Sequence, residues 1–213
     1  MCTRGSHRAL ACGPSTSPLD RMKTLRLFAA AILLAVVSAA GAEDYGHLTS
    51  TDIAVLRMAL LDFAKRPDSV QYNRNNPHTY VLIGRQTDPA TDRSYDGMYG
   101  AFIAEEIPAT PHSAVAALLA QNRRRYLVTG LDVPASMLRV ATSDQERFDP
   151  VEAPNSEVRT YVSLKAPGYS ADGKYAFVWF KFRWSIHGAY AMYLMTRSKD
   201  QWVISAHAFR YLT

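Results

Sequence analysis

From Val158 onward, apolar and polar positions alternate with a period of two through four runs, "VRTYVSLKA", "KYAFVWFKFRW", "AYAMYLMTR" and "WVISAHAFRYL". The segments "PGYSADG", "SIHG" and "SKDQ" separate them. Period two is the strand repeat, and Asp172-Gly173 and His187-Gly188 have tight-turn chemistry, so the pattern predicts a four-stranded antiparallel meander. Upstream the repeat lengthens to that of a helix. In "LTSTDIAVLRMALLDFAKRPDS", Ile53, Leu56, Leu60 and Phe63 share one side, Thr49 or Ser50 can cap, Asp52 suits the positive end of the dipole, and Pro67 closes the helix. A second helix is expected over "TPHSAVAALLAQNRRR", with Thr110 as cap, Pro111 in the first turn, and Val115, Ala116, Leu118 and Leu119 on the buried side. "TYVLIGR" reads as a short buried strand. "SMLRVAT", framed by Gly130, Pro134, Pro150 and Pro154, reads as another, leading into the charged surface excursion "SDQERFDPVEAPNSE". Together these elements predict an α+β fold, two helices packed on a mainly antiparallel sheet that ends in the four-stranded meander.

The second strand of the meander is apolar on both faces. Ala176, Val178, Phe180, Phe182 and Trp184 form one wholly apolar row, while Tyr175, Phe177, Trp179, Lys181 and Arg183 form an amphipathic one. A sheet with a single core needs only the first row. The second is a candidate binding face, with Tyr175, Trp179, Tyr193 and His207 as its residues, because rings with hydrogen-bonding tips suit interfaces and small ligand clefts. The plain alternative is a sheet that curves around residues 130–157 and leaves these rings half-buried. Strict alternation on the last strand sets Trp202, Ile204, Ala206, Ala208 and Arg210 against Val203, Ser205, His207, Phe209 and Tyr211.

Ahead of the folded pattern, "MKTLRLFAAAILLAVVSAAGA" over 22–42 has a basic start at Lys23 and Arg26, an apolar run over 27–37, and small residues at Ala40 and Ala42. That is a secretory signal pattern, with Glu43 as the expected first mature residue. The run is shorter than the roughly 20 residues of a membrane span, so no stable span is expected after cleavage. Residues 1–21 read as an extension ahead of the true start at Met22, and 43–213 as a single α+β domain. A periplasmic or secreted location follows. The charge divides at the same place. The chain carries +5, but +4 of it lies upstream of Glu43, leaving 19 basic and 18 acidic residues in the mature part. Such a balance gives no electrostatic basis for nucleic-acid binding. Cys2 and Cys12 are also upstream, so the mature part has no disulfide, thiolate ligand or cysteine nucleophile.

Little catalytic chemistry is spelled out. His47, His78, His112, His187 and His207 include no pair at metal-ligand spacing. The aspartates of "DPATDRSYDG" sit four apart and lack the alternate spacing and closing Glu of a calcium loop, so this stretch is expected to be a solvated turn. Ser205 and His207 lack any nucleophile-elbow context. Glu105 and Glu106 are neighbours and, in a strand, would point to opposite faces. The triplet Arg123, Arg124 and Arg125 reads as a charged helix terminus, with anion binding as the alternative. No catalytic residue, metal site or cofactor is assigned.

The order of features over 111–213 resembles that of a group of uncharacterised secreted or lipid-anchored bacterial proteins. It rests on a helix ending in an Asn-containing turn ("LLAQNRRRY"), an acidic-aromatic turn ("SDQERFD"), "SLKAPGYSADGKYAFVWF", and "AYAMYLMTRSKDQWVIS". The cysteine-and-glycine-rich hairpin of that group is replaced here by "SIHGAY". The Trp-x-Ile ending is similar to sheet folds of the cystatin and NTF2-like kind, in which a helix packs on a curved sheet. Neither resemblance implies an activity or a functional residue. The expected role is non-catalytic binding of an envelope protein or a small ligand. The alternatives are an envelope hydrolase acting on carbohydrate through Glu105 or His207, and a structural envelope component.

Overall fold

The period-two runs become the long strands of one sheet, and helices lie against both of its faces. The computed structural model describes residues 45–66, 79–89, 93–144, 146, 157–183 and 188–212, all inside the compact unit Tyr45–Thr213. The elements begin with β1 (Gly46–His47), α1 (Ser50–Lys65), β2 (Tyr80–Ile83), α2 (Arg93–Glu106), α3 (His112–Gln121) and β3 (Tyr126–Leu127). They continue with β4 (Leu138–Val140), β5 (Val158–Leu164), β6 (Gly168–Tyr169), β7 (Tyr175–Arg183), β8 (Gly188–Ser198) and β9 (Gln201–Leu212). The extension 1–21, the signal segment 22–42, most of the acidic excursion, and His78, Trp184 and His187 lie outside the described residues.

The main sheet has the order β4-β2-β5-β7-β8-β9, with β6 paired to β7. From β5 to β9 the long strands are antiparallel neighbours, which is the meander that the alternation predicts. β2, however, runs parallel to both β4 and β5, so the sheet is mixed. Lys199 (φ 47) and Asp200 (φ 64) form the two-residue loop between β8 and β9, both in the left-handed conformation that a type I′ turn requires. Gly173 (φ 68) supplies the same conformation before β7.

α1 starts at a capping box. The Asp52 amide donates to Thr49 Oγ1 at 3.1 Å, and the Thr49 amide donates to Asp52 Oδ2 at 2.8 Å. The Tyr169 hydroxyl donates to Asp52 Oδ1 at 2.8 Å and ties the helix start to β6. Val55, Leu56, Ala59, Leu60 and Phe63 then bury against Ala176, Val178, Phe180 and Phe182. Phe63 is the centre of this first core, edge-on to Phe180 at 5.2 Å and to Phe182 at 4.9 Å.

The opposite face carries a second core. Ile103 and Ile107 at the end of α2, with Ala114 and Leu118 of α3, cover Phe177, Trp179, Tyr190, Met192 and Leu194. α2 is a third helix beside the two expected, and it begins within the stretch read as a solvated turn. Gly97 and Gly100 each lower helix propensity by about 1 kcal/mol relative to Ala, which hid the Ile103/Ile107 spacing. Glu105 and Glu106 are therefore helical. Arg210 Nη1 donates to Glu105 Oε2 at 3.4 Å and to Glu106 Oε1 at 2.9 Å, clamping α2 to β9.

α3 differs at both ends from its sequence reading. Pro111 takes the N-cap position with no side-chain cap, because the Thr110 amide closes the turn after α2 by donating to the Ile107 carbonyl at 3.0 Å. Gln121 ends the helix, so Arg123, Arg124 and Arg125 lie in the turn beyond it. The buried Asn122 explains the Asn-containing turn. Its Nδ2 donates to the carbonyls of Leu118 and Ala166, both at 2.8 Å, and its Oδ1 accepts from the Ala166 amide at 2.7 Å. This side chain fixes α3 to the β5–β6 connection.

A β-bulge at Ser205 overturns the strict alternation expected for β9. Leu194 faces Ala206 but Met195 faces Ile204, and the Ser205 hydroxyl donates to the Leu194 carbonyl at 2.9 Å. The extra residue exchanges the two faces on one side of the bulge. Trp202 and Ile204 consequently join His207 and Phe209 on the α1 side, and Ala206 and Ala208 stay with the second core.

Candidate functional site

The four ring residues expected to share a binding face are divided between the two faces. Trp179 pairs with Met192 and is 2% exposed under α2 and α3, edge-on to Tyr190 at 5.4 Å. Tyr175 is half-buried at the margin of the same core. Tyr193 instead pairs with Val178 and His207, which puts it in the first core with no exposed surface. His207 is exposed at the margin, stacked on Tyr193 at 5.9 Å, with Arg66 Nη2 3.4 Å from its Nδ1. Pleat register is the physical reason. Cross-strand partners share a face, so Val178 and Tyr193 cannot lie on the Trp179 side.

The buried Tyr193 hydroxyl lies near Asp62 and Arg66. Burial, and then the charge of Asp62, raise its pKa above the ordinary phenol value of about 10. Tyr169 is shifted the same way by burial and by Asp52. A group with a raised folded-state pKa contributes stability that is intact below the unfolded value and lost as pH rises above it. Stability to urea should therefore fall steadily above pH about 10. Tyr193→Phe should unfold within about 1 kcal/mol of the parent at pH 8 and lose less than the parent at pH 11. An equal alkaline loss in both proteins would show that Tyr193 does not drive it.

The open part of the second face lies toward the β4 edge of the sheet. There Tyr161 and Ser163 of β5 face a cleft of about 410 Å³. Register places Tyr161 between Leu82 and Arg183, and Ser163 beside Lys181. Gly84 leaves room for the phenol, since a Cβ there would lie 2.7 Å from Tyr161 Oη.

The rim comes from the segments that leave the carboxyl ends of β2 and β4. Arg85, Gln86, Thr87 and Asp88 follow β2, and backbone bonds hold them against β3. The Val128 amide donates to the Arg85 carbonyl at 2.8 Å, and the Thr87 amide donates to the Tyr126 carbonyl at 2.9 Å. Ala141, Ser143, Asp144 and Glu146 follow β4, where the Ala141 amide donates to the Ile83 carbonyl at 2.8 Å. Arg125 enters from the turn after α3, and Arg183 from the end of β7. A crevice outside the carboxyl ends of parallel strands is where open sheets characteristically hold ligands.

Three arginines and three carboxylates line this space. Gln86 links two of them, its Nε2 donating to Asp144 Oδ1 at 2.6 Å while its Oε1 accepts from Arg125 Nη1 at 3.4 Å. Glu146 accepts from the Thr142 amide at 2.7 Å and the Thr142 hydroxyl at 2.9 Å. These bonds, with the charge of Arg139, hold its carboxyl below the usual range. Lys165 Nζ donates to the Asp88 carbonyl at 3.3 Å; burial lowers its pKa and the Asp88 charge opposes that shift. Among the described residues, no group of three His, Cys, Asp or Glu side chains is arranged to hold a metal ion. None of their helices is long and apolar enough to cross a membrane.

The sequence offered two traces of this cleft, the Arg123–Arg125 triplet and the lone glycine of "VLIGR". The remaining cleft residues are brought together by the parallel pairing of β2 with β4 and β5 and by the antiparallel pairing of β5 with β7. No family model, no curated protein and no solved structure matches the chain.

Proposed function

We propose that this is an exported protein that acts without catalysis by binding a small polar ligand in the cleft beyond the carboxyl ends of β2 and β4. The signal pattern over 22–42 supports export to the periplasm or beyond. The contrast within one sheet face carries the binding assignment. Helices close that face over Phe177, Trp179 and Met192, whereas polar side chains converge on the part that carries Tyr161 and Ser163. A protein partner reading the aromatic row has less support, because the buried Trp179 offers it no surface. The hydrolase alternative has less support, because neither Glu105, which shares Arg210 with Glu106, nor His207, which stacks on Tyr193, lines the cleft.

A thermal-shift screen of the purified protein against polar small molecules of the cell envelope tests this reading. At least one compound should raise the parent's melting temperature, since a ligand at 100 times its Kd stabilises a fold by about 2.7 kcal/mol. Ser163→Phe, which fills the cleft floor, should fold and show no such rise. Equal stabilisation of the two proteins would place the ligand elsewhere.

A further inference from the structure

Resting on the cleft as the ligand site, we propose that its ligand carries an oxyanion, a phosphate or carboxylate group, and that Arg85 and Arg183 grip it. The side-chain pairing within the cleft favours such a ligand. Two of the carboxylates have donors of their own, Gln86 for Asp144, and Thr142 with Arg139 for Glu146, while the Lys165 ammonium sits 3.3 Å from the backbone carbonyl of Asp88. Arg125 donates to Gln86. Arg85 and Arg183 make no side-chain hydrogen bond or ion pair among the described residues, although carboxylates line the same space.

Most other arginines of the fold are engaged. Arg57 donates to the Asp132 carbonyl, Arg66 to Asp62, Arg159 to the Ala64 carbonyl, Arg197 to Asp200, and Arg210 to Glu106. Two guanidinium groups left unpaired on one concave surface form a site for a planar or tetrahedral oxyanion, which each can bind through two parallel N–H donors. The Ser163 hydroxyl on the floor can add a further donor. Arg123 provides an internal contrast. It is exposed and likewise without a side-chain partner among the described residues, but it does not line the cleft.

The test is a titration of the full chain at constant low ionic strength with three probes, sodium phosphate, sodium succinate and glycerol. Phosphate or succinate should saturate and glycerol should not bind. Arg85→Gln and Arg183→Gln should each weaken the bound anion about tenfold or more, the loss expected for a hydrogen bond to a charged group. Arg123→Gln should leave it unchanged. Loss confined to phosphate, or to succinate, identifies which oxyanion the site takes. Where a glutamine variant fails to fold, Arg85→Lys or Arg183→Lys retains the charge and stem but not the fork, and should still bind more weakly. Binding of neither anion, unchanged affinity in both cleft variants, or an equal loss in Arg123→Gln would overturn the proposal. A neutral compound that Ser163→Phe excludes, and that binds equally well to both arginine variants, would overturn it while leaving the cleft as the ligand site.

Discussion

Trp179→Asp should abolish cooperative folding. The indole is 2% exposed and packed among Ile103, Ile107, Leu118, Tyr190 and Met192. Truncating a buried tryptophan costs about 3–5 kcal/mol, and an uncompensated buried carboxylate adds several more. The total is comparable with the roughly 5–15 kcal/mol that holds a domain together. Circular dichroism should show no thermal transition for this variant, whereas Trp179→Phe, which keeps an apolar ring, should still melt cooperatively. A Trp179→Asp protein that melts like the parent would mean that α2 and α3 do not cover the second face.

Gly168→Val should be almost as damaging, through backbone contact. A Cβ at Gly168 would collide with the Ala114 carbonyl oxygen and the Leu118 amide nitrogen and lie 2.6 Å from Leu118 Cβ. These are mainly atoms of the α3 backbone, which cannot turn aside as a side-chain tip can. Nor can the helix slide away freely, since Asn122 bonds its last turn to Ala166. The loss should be about 3 kcal/mol or more, at or above the upper end for overpacked cores, and should appear as a lowered urea midpoint. Gly100→Ala provides the opposite case. Among the described residues no atom beyond the local helix backbone lies within 4 Å of a Cβ at that position in α2, so the alanine should be neutral or stabilising by up to about 1 kcal/mol. If Gly168→Val keeps the parent's midpoint, the close approach of β6 to α3 is wrong.

How far the sequence could be read followed from how local each signal is. The α1 start, where Thr49 rather than Ser50 proves to be the cap, the α1 stripe and the meander are set by residues a few positions apart and appear in the structure as the pattern predicts. The row Ala176, Val178, Phe180 and Phe182 is likewise the α1 face of the sheet. The second row needed information from elsewhere in the chain. Whether Trp179 is surface or core depends on α2, whose two glycines obscure its helical repeat. The side taken by Trp202 and Ile204 depends on one inserted residue, Ser205, which alternation cannot reveal. The cleft is the least local feature, since β2 meets β5 across more than 70 positions of sequence. Arg85, Arg125, Asp144, Tyr161 and Arg183 are therefore neighbours only in the fold.

On this reading the second sheet face is core beneath the helices and a ligand site where the helices leave it open. The decisive experiment is a map of backbone amide shifts during titration with sodium phosphate and, separately, with sodium succinate. Changes should concentrate at 84–88, 141–144, 161–163 and Arg183, leaving α1 and β9 unmoved. Changes centred instead on Tyr175 and His207, with the cleft silent, would contradict the account.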